Sequence, residues 1–418
     1  MPLTLLLLAL AVFAMGTSEF MLAGLVPDIA SDLGVPVGSA GLLTSAFAVG
    51  MIVGAPLPAV LARSWPVRSG LLGLVLVFAA AHVLGAVTGS FAVLFVTRVV
   101  AAVANAGFLA MALTTATRLV PPDRRGRALS VLLSGTTLAT VAGVPAGSLL
   151  GSLFGWRVTF WAVALLCLPA VLGVLLGLPA RTAREGTAGV PDLRAELALL
   201  RRPRLLLVML LGALVNAATF AGFTFLAPVV TGRAGLGELW VPVALVLFGL
   251  GSFAGITLAG RWSDRCPGRV VAVAGPLLLV GWPALALLAE EPAALLALVF
   301  LLGTSSFALG GTLIARVLHE AAEAPTMAGS YATAALNAGA AAGPLVAALT
   351  LRTGAGTLGP LWVSGLLVLG ALLVALPFRG MLTAAGPMPP PRGAARPGAP
   401  AGAPARPAGR TRSAGPED

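Results

Sequence analysis

Long apolar runs alternate with short polar breaks along most of the chain. About 20 consecutive apolar residues cross a bilayer as a helix. Twelve such runs are present, at 3–26, 39–61, 70–88, 91–117, 127–153, 158–179, 204–229, 241–260, 270–289, 292–316, 327–350 and 360–378. The pattern predicts an all-α membrane protein with twelve transmembrane helices, called spans 1 to 12 below. The start, Met1 to Ala14, is similar to the apolar core of a signal peptide. It lacks a basic leading segment and the apolar run continues past any cleavage point, so it reads as span 1. Gly107, Gly143, Gly147, Gly251, Gly255, Gly339 and Gly343 stand at the spacing of small residues that lets helix backbones approach closely.

Two segments break the pattern. Residues 180–203 are polar and join two sets of six spans, 1–179 and 204–380. Within that joint, Asp192 to Arg202 reads as a surface helix with Leu193, Leu197 and Leu200 on one face. Residues 381–418 are rich in Pro, Gly, Ala and Arg, a composition that cannot build a core and reads as a disordered tail. The two sets of spans look like repeats. A shift of 201 residues places Pro27 on Pro228, Gly50 on Gly251, Gly54 on Gly255, Pro66 on Pro267 and Arg68 on Arg269. Parallel repeats of this kind hold the substrate site near the midplane between them.

Charge changes the picture in one respect. The net charge of +11 suggests a nucleic-acid binder until the charges are placed. The chain has no Lys, and its Arg residues sit in short loops between apolar runs, so no nucleic-acid partner is expected. The loops after spans 2, 4, 6, 8 and 10, with the tail, hold 22 Arg; the opposite loops hold Arg157, Arg233 and Arg352. By the positive-inside rule both termini are cytoplasmic, which in a bacterium makes this a multi-pass inner-membrane protein. Cys167 and Cys266 are assigned to a span and a loop and have no prospect of pairing. His82 and His319 lack metal-ligand spacing, so no metal and no cofactor is expected. An ATP-driven exporter would need the Lys of a phosphate-binding loop.

One carboxylate does not fit the loops. Glu19 lies in the run Met15-Gly16-Thr17-Ser18-Glu19-Phe20-Met21, inside span 1. An ionisable side chain at membrane depth costs roughly 2.5–3.5 kcal/mol on insertion scales and points to proton or substrate handling. The alternative is a carboxylate that snorkels to water. The repeat places Glu19 near Phe220, so one half supplies a carboxylate where the other offers Thr219, Phe220, Phe223 and Phe225 as an aromatic wall. Arg98 lies in an apolar stretch of span 4 and must pair or reach water, because it keeps its charge. Asn105, Asn216 and Asn337 are amides in apolar spans, suited either to binding a polar drug group or to joining helices. Tyr331 lies one turn into span 11, as a cavity residue or an interfacial anchor.

Several segments carry a family resemblance. Met15 to Phe20, followed by Leu25-Val26-Pro27-Asp28-Ile29-Ala30-Ser31-Asp32-Leu33-Gly34, is similar to the opening of twelve-helix drug:proton antiporters of the major facilitator superfamily. Gly260-Arg261-Trp262-Ser263-Asp264-Arg265-Cys266-Pro267-Gly268-Arg269 resembles that superfamily's loop after an even-numbered span. Gly143-Val144-Pro145-Ala146-Gly147 in span 5 is similar to its exporter signature. The segments 15–34, 216–230 and 329–344 look closest to actinobacterial chloramphenicol-resistance exporters. The first-half loop departs from the pattern: Arg63 stands where the Asp of the family would be, and only Arg68 carries over.

The resemblance implies a major facilitator fold of two pseudo-symmetric six-helix bundles. It implies proton-coupled export of chloramphenicol or a related amphenicol by a monomer in the lipid bilayer, with a multidrug or sugar-efflux antiporter as the near alternative. An intramembrane enzyme is a remote one. Glu19 and Arg98 would handle the proton. Thr17, Ser18, Met21, Phe47, Asn105, Asn216, Phe220, Tyr331 and Asn337 would line the drug cavity. Asp28, Arg68, Gly260, Asp264, Arg265 and Arg269 would gate. Pro145 would kink span 5, and Gly143 and Gly147 would pack it against the second half.

Overall fold

A computed structural model describes residues 3–56, 66–121, 124–178, 193–262, 267–324 and 327–378. Asp264, Arg265 and the tail lie outside the described residues. Among those described, twelve helices are long and apolar enough to span a membrane: Leu3–Gly24, Val37–Gly54, Val67–Val87, Phe91–Arg118, Arg125–Phe154, Trp156–Gly177, Pro203–Gly232, Trp240–Arg261, Gly268–Leu287, Pro292–Glu320, Ala328–Thr350 and Gly356–Phe378. They are spans 1 to 12. Their ends fall within a few residues of the expected ones except in span 2, which the description follows only to the turn after Gly54. No strand occurs among the described residues, as hydrocarbon demands of an open chain that must satisfy its own backbone. Met1–Ala384 form one compact unit.

The repeat extends to the contacts. A Cβ added at Gly50 would overlap the Val99 carbonyl, and one at Gly54 would overlap Val103. Gly251 and Gly255 stand in the same way against Phe300 and Thr304. Each partner is displaced by the same 201 residues as its glycine, so span 2 meets span 4 as span 8 meets span 10. A second pair runs at an offset of 204: Gly135 lies on the Ala9 carbonyl and Gly339 on the Ala213 carbonyl. Without a hydrophobic drive between helices in lipid, such close backbone packing is what joins them.

Spans 1 and 7 are both interrupted. In span 1 the α-helix Leu3–Phe20 passes into a 3-10 turn, Met21–Gly24, before a short helix Val26–Asp32. In span 7, Pro203–Thr224 stops before Leu226–Gly232. Pro27 and Pro228 explain the two breaks, since proline cannot donate to the carbonyl four residues back and clashes with it. Span 5 carries a π-helical turn, Ala139–Gly143, just ahead of Pro145. The wider turn makes room for the proline ring.

The halves meet closely at the end that bears the loops between spans 1 and 2 and spans 7 and 8. The Phe225 ring lies against Gly41, and Ala348 lies against Gly38 at 3.3 Å from where a Cβ would be. Gly24 receives Ser148 and Leu245. Further along, Gly249 of span 8 admits the backbone of Thr140 and Val141 in the π turn. Spans 2 and 11 stay bonded along their length, through Ser45 Oγ to the Ala341 carbonyl at 2.7 Å and Ser330 Oγ to the Ala55 carbonyl at 3.1 Å.

Two expectations are corrected here. Gly143 and Gly147 do not pack against the second half. A Cβ at Gly143 would strike the Thr17 hydroxyl, and one at Gly147 would meet Thr159 at 3.0 Å and Met21 at 3.7 Å, all within the first half. The glycine that opens the contact of the span 5 π turn with the second half is Gly249, on the opposite helix. The joining segment does form a helix, Leu193–Ala198, followed by a 3-10 turn, Leu199–Arg201. Its buried side carries Glu196 and Leu199, while Leu197 is exposed. The Glu196 carboxylate accepts the Met327 N–H at 2.9 Å, and Tyr331 Oη donates to the Glu196 carbonyl at 2.8 Å. A carboxylate at the first turn of span 11 is favoured by the helix dipole and its unsatisfied N–H groups. Arg202 adds a two-pronged ion pair with Glu323, at 2.8 and 2.6 Å.

Gly251→Leu should lower stability by roughly 1–3 kcal/mol, the range for overpacking, because the Phe300 carbonyl cannot retreat. Gly260→Leu, at an open position, should leave it unchanged. Thermal unfolding of the detergent-solubilised protein checks the pair.

Candidate functional site

The polar groups of the first half converge on the last turn of the span 1 α-helix. Ser18 is fully buried and Arg98 is 1% exposed. Arg98 Nη1 donates to Ser18 Oγ and Nη2 to the Ser18 carbonyl, both at 2.7 Å. That carbonyl lies among the last four of the helix, which lack intrahelical partners. The Phe47 ring lies 4.4 Å from the guanidinium carbon, a cation–π contact. Arg98 therefore does not snorkel: it is solvated by a helix end, a hydroxyl and a ring. Its Nε has no hydrogen-bond partner among the described residues.

Glu19 is partly buried beside this group. It and Arg98 act on each other electrostatically, yet no ion pair or hydrogen bond engages the Glu19 carboxylate among the described residues. The next residue, Phe20, crosses to the second half. Its ring stacks on Phe220 at 5.7 Å between centroids and meets Phe223 edge-on at 6.4 Å. Phe223 continues to Phe248 at 4.5 Å, and Phe248 to Phe307 at 6.1 Å. Phe20, Phe220, Phe223, Phe248 and Phe307 thus form one row of rings, and one of the expected wall residues is absent from it. Phe225 is fully buried in the seal against Gly41 and is not part of that row.

The other candidates are dispersed. Thr17 is bonded to the Phe13 carbonyl at 2.8 Å and, with Met21, faces span 5. Asn105 Nδ2 reaches Met51 Sδ at 3.5 Å. Asn216 Nδ2 donates to the Leu336 carbonyl at 2.7 Å, joining spans 7 and 11. Asn337 Nδ2 bonds the Thr333 carbonyl of its own helix at 3.0 Å. Tyr331 is 3% exposed and engaged by the joining segment. Among the gating candidates, Gly260 and Arg269 are exposed and Arg68 is partly buried. Asp28 stands in the first turn of the short helix Val26–Asp32. Burial, then the charge of Glu238 across the halves, holds its carboxyl above the ordinary value.

Two residues take part that no expectation assigns to the site. Phe20 belongs to the segment Met15 to Phe20, and its ring bridges the halves. His82, which lacks metal-ligand spacing, is the other. It is 1% exposed, bonded to Ser18, and flanked by Phe78 and Phe160 with ring centroids at 4.2 and 5.7 Å. The available signal was a histidine in the middle of an apolar span.

Comparison with known proteins shows the family. Residues 8–249 match the Major Facilitator Superfamily. A protein of Streptomyces lividans named chloramphenicol resistance protein is 74% identical over 387 residues, covering 93% of this chain and 99% of that one. The chain belongs to the Major Facilitator Superfamily. The inner membrane transport protein YdhP of Escherichia coli K12 is 32% identical over 352 residues, covering 84% of this chain and 90% of its own. A crystal structure of the nucleoside transporter NupG shares the fold, with a TM-score of 0.72 at 15% identity, covering 91% of this chain and 99% of that one. This is thus a multi-pass membrane protein of the superfamily.

At the sealed end, Asp32 is bonded by Arg157 and by Trp156 Nε1, the latter at 3.1 Å, and Arg157 also reaches the Thr88 carbonyl at 3.1 Å. The Arg157 hydrogen bond holds the Asp32 carboxyl below its ordinary value. A carboxyl held low in the folded state stabilises it above the unfolded value, about 3.9, and that stabilisation is lost as pH falls through the folded value. Asp32→Asn should therefore melt below wild type at pH 7, by the small margin of an exposed pair. The two melting curves should converge as pH falls below the lowered folded-state value. A second variant tests the joining segment: Tyr331→Phe should cost about 1 kcal/mol, one buried hydrogen bond, read by thermal unfolding.

Proposed function

We propose that the protein is a proton-coupled exporter of chloramphenicol or a closely related amphenicol across the cytoplasmic membrane. The observation that carries this reading is Glu19: a carboxylate at membrane depth, without an ion pair among the described residues, one residue before the ring that meets the other half. An apolar setting disfavours its charge and the nearby Arg98 favours it, the two opposing influences a proton-exchanging group needs. The likeness to the chloramphenicol resistance protein of Streptomyces lividans supplies the substrate. Phe20, Phe220 and Phe223 offer ring faces to an aromatic drug, and the absence of a second carboxylate in this row suits a neutral one.

In this reading the two six-span halves, 1–179 and 204–380, rock about the midplane. With both termini cytoplasmic, the Phe225–Gly41 contact lies on the outer side, and the Ser330–Ala55 hydrogen bond joins spans 2 and 11 at the inner one. Drug enters from the cytoplasm or inner leaflet as Glu19 releases its proton. Opening of the outer seal lets Glu19 take up a proton and the drug depart. Inward return of the protonated form completes the exchange, with a membrane potential adding ~2.3 kcal/mol per charge moved per 100 mV. Asp28, Asp264, Arg265 and Arg269 are assigned to gating in the same scheme, and the transporter works as a monomer.

Labelled chloramphenicol should accumulate less in cells expressing the wild type than in cells lacking it, and a protonophore should erase the difference. Glu19→Gln should raise accumulation to the level of cells without the protein. Equal export by the variant would refute the proton-carrier role, and no effect of the wild type would refute the substrate.

A further inference from the structure

The group that holds Arg98 is itself held. His82 Nδ1 lies 2.8 Å from the Phe78 carbonyl and Nε2 lies 2.7 Å from Ser18 Oγ. A carbonyl only accepts, so Nδ1 carries a hydrogen. In the neutral ring Nε2 is then an acceptor, and the Ser18 hydroxyl must donate to it. With its one hydrogen committed to His82, Ser18 Oγ turns its lone pairs to the guanidinium, which donates to it. The direction of every bond in the chain follows from Phe78: Arg98 to Ser18, Ser18 to His82, His82 to Phe78. The ring is fixed further by Phe78 and Phe160 on its sides.

This arrangement spends two Arg98 donors on Ser18, one residue short of Glu19. A guanidinium that turned onto the neighbouring carboxylate would make a paired charge of it, and a paired carboxylate in an apolar setting gives up exchange for permanent ionisation. We propose that His82 is a positioning residue for proton coupling: through Ser18 it holds Arg98 off Glu19, so the carboxylate senses the charge without being paired by it. The inference rests on the exchange reading given above and adds to it a third residue from a third helix.

Purified protein in proteoliposomes separates the two. Drug accumulation driven by a pH gradient requires proton coupling, whereas drug–drug exchange without a gradient requires only a folded, alternating carrier. In His82→Phe, which keeps a ring among Phe78 and Phe160 but cannot accept from Ser18, gradient-driven accumulation should fall about tenfold or more, the scale of a misplaced acting group. Drug–drug exchange should persist. His82→Gln, whose amide oxygen can accept from Ser18, should recover most of the accumulation. Unchanged accumulation in His82→Phe, or equal loss of both modes in both variants, would overturn this inference while leaving the exporter reading intact. A wild type that accumulates no drug under a gradient would overturn the exporter reading, and this inference with it.

Discussion

The buried guanidinium of Arg98 is the constraint around which the first half is organised. Arginine keeps its proton, and hydrocarbon offers it nothing. The protein therefore has to build a solvent for it. The α-helix of span 1 ends at Phe20, which leaves the Ser18 carbonyl available, and Pro27 follows to keep the helix from simply continuing. Span 2 adds the Phe47 ring and span 3 adds His82 behind the hydroxyl. One charge thus ties four helices of a six-helix half together. The same helix end carries Glu19 and presents Phe20 to the opposite half, so the demand of a single cation sets the geometry of the proposed coupling site.

The contacts between halves are of another kind. At the sealed end they consist of rings and methyl groups seated on glycines: Phe225 on Gly41, Ala348 beside Gly38, Leu245 beside Gly24. Contacts of this sort depend on fit and forfeit little once surfaces separate, because no desolvated charge is exposed by parting them. The charged pairs found nearby, such as Asp32 with Arg157, lie inside one half. Movement of one half against the other would leave such pairs intact.

Span number, span limits and the repeat were legible in the sequence because bilayer thickness and hydropathy act locally. The repeat was more exact than its five matched residues suggested, since Val99 and Phe300, or Val103 and Thr304, are displaced by the same step as the glycines they receive. Facing was not legible. A helix that is apolar on all sides has no periodicity from which to read a direction, so Gly143 and Gly147 were assigned to the wrong neighbours. Asn216 and Asn337 look like cavity residues in a string of letters and are backbone-bonded in space. His82 belonged to a cluster assembled from residues 64 and 80 positions apart, which no local pattern encodes.

The joining segment has a consequence for the order in which the molecule is made. Glu196 is synthesised after span 6, but its partners Met327 and Tyr331 come 131 and 135 residues later, at the start of span 11. The ribosome must deliver four more spans before the segment can dock. Until then Glu196 has neither of these partners. Docking therefore coincides with the arrival of the eleventh span, and the clasp marks the moment when the nascent chain has become a nearly complete carrier.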